Sequence, residues 1–336
     1  MTTFKEIRGQ LIKSVSSDPS PAAAGDMWYN STSQTLKGVV LSGAWASGGN
    51  MNTGRSSCRG AGIQTAAFAI GGQTPGPTVG NTENYNGSSW TNSSAFPTGT
   101  RNAFAFGTQT AGLAAGGNSS PGQTPYNTAS AEYDGSNWTA SPGSMSPAKG
   151  FGASSGSQTS ALATGGDGPG SPFAQSGVQS YNGSTWSSET AYPTTIYGAT
   201  GGGTSETAAV VFGGEAPYPG NNPGTGDYNG SAWTVVAKNI TDAGAPKTRG
   251  IQATSASPSS NIGSMGLQGP TNITSYFLWD DTAWTTLPNM AVGGEKGGAG
   301  IVTAALAFGG NSTGVPSSTV TEEYTEAAAT KTFTTS

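Results

Sequence analysis

Six tryptophans, Trp45, Trp90, Trp138, Trp186, Trp233 and Trp284, follow one another at intervals of 45, 48, 48, 47 and 51 residues. Between each pair the same signals come in the same order: a small-residue apolar run, a Gly-Gly pair, a loop, a tyrosine, an Asn-Gly or Asp-Gly step, and the next tryptophan. A period of roughly 40 to 50 residues built from four short extended segments is that of a propeller blade. The repeat spends the chain's length on copies of one unit, where 336 residues would otherwise suggest about two domains.

Composition alone would mislead. With 54 glycines, 20 prolines and only 9% charged residues, a chain lacking periodicity would be expected to be disordered. Here glycine recurs in phase, beside Tyr and Trp, and so marks turns and close backbone approach. The 13 basic residues are scattered and the net charge is -5, which gives no cationic track for a nucleic acid. One cysteine, Cys58, excludes an internal disulfide framework and argues against a thiolate metal cluster. Without histidine there can be no Ser-His-Asp triad and no imidazole-ligated zinc or copper. No apolar run approaches the roughly 18 residues of a membrane span, and the N-terminus lacks a signal-peptide core. The expectation is therefore no cofactor, no metal, no nucleic acid and no membrane insertion.

Residues 60–72 read GAGIQTAAFAIGG and residues 298–310 read GAGIVTAALAFGG, nearly residue for residue across 238 positions. Intermediate copies read FGTQTAGLAAGG (106–117), SGSQTSALATGG (155–166) and GTSETAAVVFGG (203–214). Each predicts a strand that turns at a polar step, such as Gln64 and Thr65, into a second strand apolar on both faces, as suits a strand buried between neighbouring sheets. Abundant Ala and Gly fit the crowded inner part of a propeller. The second half of each unit reads as a hairpin: Tyr85, Asn86, Gly87 to Trp90; Tyr133, Asp134, Gly135 to Trp138; Tyr181, Asn182, Gly183 to Trp186; Tyr228, Asn229, Gly230 to Trp233. Asn-Gly and Asp-Gly predict a type I′ turn, with Tyr and Trp on outer strands packing between blades. The same triplets match an N-glycosylation sequon, but they recur in phase with the repeat, which points to the turn.

The fifth unit is degenerate: residues 265–269 replace the Gly-Gly strand and residues 279–284 replace the Asn-Gly hairpin. In the sixth, Phe333 stands where tryptophan is expected. Six copies of the first strand pair predict an all-β, kelch-like propeller of six four-stranded blades over residues 26–336. Residues 26–46, with Trp45 in a hairpin-like setting, are expected to supply ring-closing strands. A count of seven follows if that half-unit forms its own blade with terminal strands. Residues 1–25 do not fit the repeat; Phe4, Ile7 and Leu11 lie at helical spacing, whereas Ile7, Leu11 and Val15 also suit one face of a strand.

The order of apolar strand, Gly-Gly, Tyr and Trp resembles the kelch repeat over residues 46–336. Residues 25–32, GDMWYNST, followed by Leu36 and Lys37, look like a segment common in tail-fibre and other virion proteins of tailed bacteriophages. Together with the GAGIQTAAFAIGG and YNGSSW repeats, the chain is similar to kelch-like virion proteins of marine phages. That resemblance implies a non-enzymatic structural protein on the exterior of a phage particle, a tail fibre or tail appendage that contributes to adhesion to the host. Multiple copies per particle and contact with host-surface glycan are expected with it. Alternatives are a capsid decoration or head-fibre protein and, in another class, a carbohydrate-processing propeller enzyme.

On that reading residues 1–25 are an attachment arm, with Phe4, Ile7, Leu11, Ile12, Trp28 and Tyr29 as candidates for docking on other virion proteins. The segments after Gly-Gly differ in length and composition between copies and should gather on one face, which makes Asn118, Gln123, Tyr126, Asp167, Tyr218 and Asn221 candidates for glycan contact. Arg55, Arg101 and Arg249, with Lys149, recur near the start of their units. Glu83, Glu132, Asp227 and Glu323 recur just before the hairpin tyrosine. Basic and acidic residues at these places are expected to form structural pairs between strands, exposed pairs of that kind contributing only about 0 to 1 kcal/mol each; the alternative is a cationic rim that contacts glycan or phosphate. No catalytic residue is assigned.

Overall fold

The computed structural model describes residues 12–120, 124–169, 174–215, 224–238, 240–242, 245–246, 252–253, 261–267, 273–311 and 317–333. They belong to two compact units, Trp45–Tyr324 and a smaller one of Met1–Ala44 with Thr325–Ser336. No helix occurs among them.

The larger unit is a six-bladed propeller, as the repeat predicts. Blade one is Arg59–Ile63, Ala66–Ile70, Thr82–Tyr85 and Trp90–Ser93; blade two is Phe104–Thr108, Ala111–Ala115, Ser130–Tyr133 and Trp138–Ala140. Blade three is Ala153–Ser157, Ser160–Thr164, Val178–Tyr181 and Trp186–Glu189, and blade four is Tyr197–Ser205, Ala208–Glu215, Thr225–Tyr228 and Trp233–Val236. Gln252–Ala253, Ile262–Leu267, Ile273–Trp279 and Trp284–Leu287 make blade five. Blade six takes Gly297–Ile301, Ala304–Phe308, residues 321–324 and, as its outer strand, residues 45–47. The first strands neighbour one another in order from blade one to blade six and back to blade one, so the ring is closed. The N-terminal half-unit thus supplies one strand and no seventh blade. It also supplies the sixth tryptophan: Trp45 lies 5.4 Å from Tyr324, as Trp90 lies 4.9 Å from Tyr85 and Trp138 lies 4.7 Å from Tyr133. The expectation that Phe333 takes that place is corrected; Phe333 belongs to the smaller unit and is 43% exposed.

Each Gly-Gly pair is left-handed at both positions, from Gly71 (φ 63°) and Gly72 (φ 106°) to Gly309 (φ 62°) and Gly310 (φ 92°). Crowding adds to the conformational demand: a Cβ at Gly71 would lie 2.2 Å from the Thr100 carbonyl oxygen. Only glycine meets both constraints. The second glycine's N–H then donates to the next blade, Gly72 to Thr100 O, Gly117 to Lys149 O and Gly166 to Ile196 O. Gly310 donates to Arg55 O across the seam between blades six and one.

The hairpins correct one expectation. Four residues, 86–89, separate the paired Tyr85 and Trp90, and in these turns Gly87, Gly135, Gly183 and Gly230 have positive φ while the preceding Asn or Asp does not. A type I′ turn would need both. The Asn or Asp caps the loop instead: Asn86 Oδ1 accepts the N–H groups of Ser88 and Ser89 at 3.0 and 2.9 Å, and Asp134 those of Ser136 and Asn137 at 2.8 and 2.7 Å. In the degenerate blade Asp280 caps and Asp281 takes the left-handed position at φ 73°.

Two side chains of each typical repeat tie a blade to its predecessor. The tryptophan indole donates backwards: Trp90 to Thr321 Oγ1, Trp138 to Thr82 Oγ1, Trp186 to Ser130 Oγ and Trp284 to Thr225 Oγ1, all within 3.1 Å. Blade three has Val178 at this position, and Trp233 donates to the Thr190 carbonyl at 3.0 Å instead; blade five has Tyr276 there, and Trp45 donates to the Pro288 carbonyl at 2.9 Å. The glutamine at the first turn spans two strands of the preceding blade: Gln64 donates to Ala305 O and Tyr324 O, Gln109 to Ala67 O and Tyr85 O, and Gln158 to Gly112 O and Tyr133 O. Blade four carries Glu206 at this position, and a carboxylate has no proton for those carbonyls; its Oε2 is buried without a hydrogen-bond partner among the described residues.

In the smaller unit Lys13–Val15 runs parallel to Met27–Asn30, which is antiparallel to the beginning of Thr35–Ser47. Asp18 organises it, accepting from Trp28 Nε1 at 3.0 Å, Asn30 Nδ2 at 2.7 Å and Lys37 Nζ at 2.8 Å. Those bonds, Lys37 first, hold its carboxyl down at about 2.

Glu206→Gln restores the repeat's own donor and should add two interblade bonds worth about 0.5 to 1.5 kcal/mol each. The expected outcome in thermal unfolding at pH 7 is a Tm higher by a few degrees. An equal or lower Tm would show that the glutamine bonds do not hold blades together.

Candidate functional site

The residue immediately after each described Gly-Gly is polar and able to accept a hydrogen bond: Gln73, Asn118, Asp167, Glu215 and Asn311. Isolated bridges place three of them opposite the segments that lead into their blades, Gln73 with Ser56, Asn118 with Arg101 and Asp167 with Gly150. A second series lies at or just before the start of the first strands. Ser57, Asn102 and Phe151, two residues ahead of theirs, are left-handed at φ 53°, 54° and 56°, as is Gly198, the second residue of its strand, at φ 66°. Their N–H groups link successive blades: Asn102 donates to Ser57 O, Phe151 to Asn102 O and Gly198 to Phe151 O, at 2.7 to 2.9 Å. Glu295 holds the same position in blade six. These two series form a polar rim where the first strands begin.

Inside the rim the axis is nearly filled. Arg59, Gly60, Ala105, Gly152, Ser154, Thr200, Gly201 and Ala253 enclose a cavity of about 20 Å³, room for roughly one water. Arg59 is 5% exposed, with its guanidinium carbon 5.6 Å from the Phe151 ring centroid. Burial pushes the guanidinium down, and Glu295 and Asp167 oppose that shift.

Toward solvent lies an open cavity of about 350 Å³ lined by Ser56, Ser57, Gln73, Thr74, Pro75, Arg101, Glu295, Asn311 and Ser317. Blades six, one and two all contribute. Its walls are pre-organised: Arg101 Nη1 donates to Gln73 Oε1 at 2.8 Å, the Glu295 N–H donates to Asn311 Oδ1 at 3.0 Å, and Ser317 Oγ donates to Gln73 O at 3.0 Å. Behind Arg101, burial pushes the Asp167 carboxyl up to about 6, against the lowering influence of Tyr126, Arg101 and Arg59. Burial and Asp167 push the Tyr126 phenol up to about 12.

The basic residues do not share one environment. Arg55 is fully buried, donates to Gly71 O and Asn81 O, and pairs with Glu83 at 3.1 Å. Lys149 holds the corresponding place in blade three, donating to Ala163 O and Gly177 O, and burial alone pushes its ammonium down to about 7. Arg101 sits one position further along and therefore turns to the cavity, with Thr100 at the Arg55 position, its Oγ1 donating to Gly116 O. Arg249 lies outside the described residues. Only Glu83 of the four expected acids is seen in a basic pair; Glu323 and Glu132 accept from the hydroxyls of Tyr85 and Tyr181 in the next blade, at 2.5 and 2.8 Å. Asp227 is held up at about 6 by burial and by Asp281.

Of the candidates for glycan contact, Asn118 and Asp167 are 0% and 2% exposed and Tyr126 is half-buried, so they form the wall behind the rim and not a free loop. Gln123, Tyr218 and Asn221 lie outside the described residues. Among the docking candidates Ile12 and Tyr29 are 44% and 39% exposed, Trp28 is buried on Asp18, and Phe4, Ile7 and Leu11 lie outside the described residues. Sequence reasoning missed Gln73, Glu295 and Asn311. The polar residue following each Gly-Gly was the available signal.

No family model matches this chain, and no curated protein does. Among solved structures it is similar to one titled "Structure of YjhT", with a TM-score of 0.65 and 14% identity, covering 83% of this chain and 99% of that one. The likeness is one of fold. Among the described residues no group of three or more His, Cys, Asp or Glu could hold a metal ion.

Because the folded pKa of Asp167, about 6, lies above the ordinary carboxylate value of 3.8, its contribution to stability is full below about pH 4 and is lost as pH rises through 6. The Asp167→Asn variant should therefore gain Tm relative to the wild type as pH is raised from 4 to 7, Asp227 being common to both. A difference in Tm that stays constant over that range would contradict the assignment.

Proposed function

We propose that this chain is a non-enzymatic structural protein on the exterior of a phage particle, a tail fibre or tail appendage. Its smaller unit joins other virion proteins and its propeller contacts the host surface. The observation that carries this reading is the uneven distribution of exposed apolar side chains. Of eight large exposed hydrophobic residues among those described, five, Ile12, Met27, Tyr29, Leu41 and Phe333, belong to the smaller unit, which holds only the first 44 and last 12 residues. Exposed apolar surface concentrated in this way marks a protein interaction site. The same unit contains the tail-fibre-like stretch of residues 25–37. The propeller offers polar loops and the rim cavity, suited to weak contact with sugars that many copies on one particle would reinforce.

A carbohydrate-processing enzyme has one observation in its favour, the Asp167 carboxyl held near 6. Hydrolysis of a glycosidic bond ordinarily requires two carboxyl groups facing the substrate. Asp167 is buried behind Arg101, and Glu295 is the sole carboxylate among the residues lining the open cavity.

Immunogold labelling of intact particles with antibody to the propeller tests the proposal. The expected result is label on the tail, together with loss of adsorption when particles are pre-incubated with the antibody. Label confined to the head would replace it with a capsid-decoration role. Particles without label would refute a virion protein altogether.

A further inference from the structure

We infer that the open cavity bounded by Gln73, Arg101, Glu295 and Asn311 is a binding site for an uncharged saccharide unit. This inference rests on the reading of the propeller as the host-contacting part, and moves the contact from the variable loops to the rim. The cavity, at about 350 Å³, falls within the usual range for small-ligand sites.

Its chemistry selects the ligand. Arg101 presents donors in a planar fork whose orientation is fixed by the 2.8 Å bond from Nη1 to Gln73 Oε1. Glu295 adds a carboxylate, an acceptor, to the lining, and the hydroxyls of Ser56, Ser57 and Ser317 can donate or accept. A sugar's neighbouring hydroxyls also donate and accept, so one can bond to a guanidinium while the next bonds to a carboxylate. An anionic ligand would gain Arg101 but meet Glu295 at close range, and a cationic one would meet the reverse. A purely apolar ligand would leave a cavity wall of polar groups without water or partner. The wall is in place before binding, because the Asn311 amide is tied to the Glu295 backbone and Ser317 to Gln73. Little ordering cost then remains to be met by a weak ligand.

The test uses the full chain, with glucose, galactose, mannose and N-acetylglucosamine as probes and glucuronate as the charged control, followed by NMR or calorimetry. Saturable millimolar binding of at least one neutral sugar is expected, with glucuronate at least tenfold weaker. Arg101→Ala should weaken that binding tenfold or more; Gln73→Ala, which removes one of the bonds that orient the guanidinium, should weaken it less, and the Tm of each variant shows whether it is folded. The inference is overturned if no neutral sugar binds, if glucuronate binds better, or if a folded Arg101→Ala protein binds as the wild type does. Adsorption of the purified proteins to host cells separates the two levels of argument. Wild-type protein that adsorbs, with Arg101→Ala adsorbing equally, defeats the cavity but leaves the adhesive role; wild-type protein that binds sugar in solution but never adsorbs defeats the adhesive role and leaves the cavity.

Discussion

The bond from one blade's tryptophan to the blade before it, in four blades to that blade's third strand, is the constraint on which the ring depends. A blade of four short strands buries its second strand on both sides only if a neighbour covers each face. Dispersion and area burial bring the faces together without fixing how far one sheet slides along the next. The indole N–H fixes it by ending on one acceptor, a hydroxyl near the start of that third strand for four tryptophans, Thr82, Ser130, Thr225 or Thr321, and a backbone carbonyl for the other two, Thr190 O for Trp233 and Pro288 O for Trp45. Glutamine at the first turn fixes the other end of the same interface by reaching two carbonyls at once. At the interface between blades three and four both devices are altered. Blade four has Glu206 in place of glutamine, yet keeps the indole bond of Trp233 by redirecting it to a backbone carbonyl.

The Gly-Gly pair connects this architecture to the site. Two successive left-handed residues reverse the chain sharply enough for the second N–H to reach the neighbouring blade. The residue that follows is then delivered to the rim in every described copy. Since its backbone is already committed, variation falls on its side chain, which runs Gln, Asn, Asp, Glu and Asn around the ring. The same turn that closes the fold therefore sets out a row of hydrogen-bond acceptors at the opening of the axis. Arg101 acquires its place by a shift of one residue relative to Arg55, enough to take a guanidinium from a buried ion pair to the cavity wall.

What could be read from the sequence was what repeats within one copy. Trp spacing, the Gly-Gly positions and the small-residue strands announced the propeller and its six blades, because each is a local requirement met again in every unit. The hairpin residues were legible but their mechanism was not: Asn86 and Asp134 act through side-chain caps of a four-residue loop, a use of Asn-Gly that composition does not distinguish from a type I′ turn. Phe333 looked like the final aromatic because the count ran along the chain, whereas the ring takes its sixth tryptophan, Trp45, from the other end. The cavity was hidden for a related reason. Gln73, Arg101, Glu295 and Asn311 come from three blades, and although ring closure sets blade six beside blade one, no spacing in the sequence says that these four side chains line one cavity.

Two buried ion pairs are seen in the blades on either side of that seam. Among the described residues Arg55 with Glu83 and Lys296 with Glu322 belong to blades one and six, the two that meet at closure. Each carboxylate also accepts two backbone N–H groups of the segment leading into its blade, Asn52 and Thr53 for Glu83, Ala291 and Val292 for Glu322. Blade two has Thr100 and Ala131 in these roles, and blade three has Lys149 and Gln179, so neither has a full pair. A buried pair adds little net stability, but separating its members leaves an uncompensated charge that costs about 3 to 5 kcal/mol. Between blades that follow one another in sequence, a short connection already limits misregistration. Blade six is joined to blade one by a connection of the usual length, from Ser47 to Arg59, but its own outer strand comes from the opposite end of the chain, so closure rests on non-local contacts such as Trp90 with Thr321, more than 200 residues apart. Each ion pair lies within its own blade, and there it ties the segment leading into the sheet to the sheet's third strand.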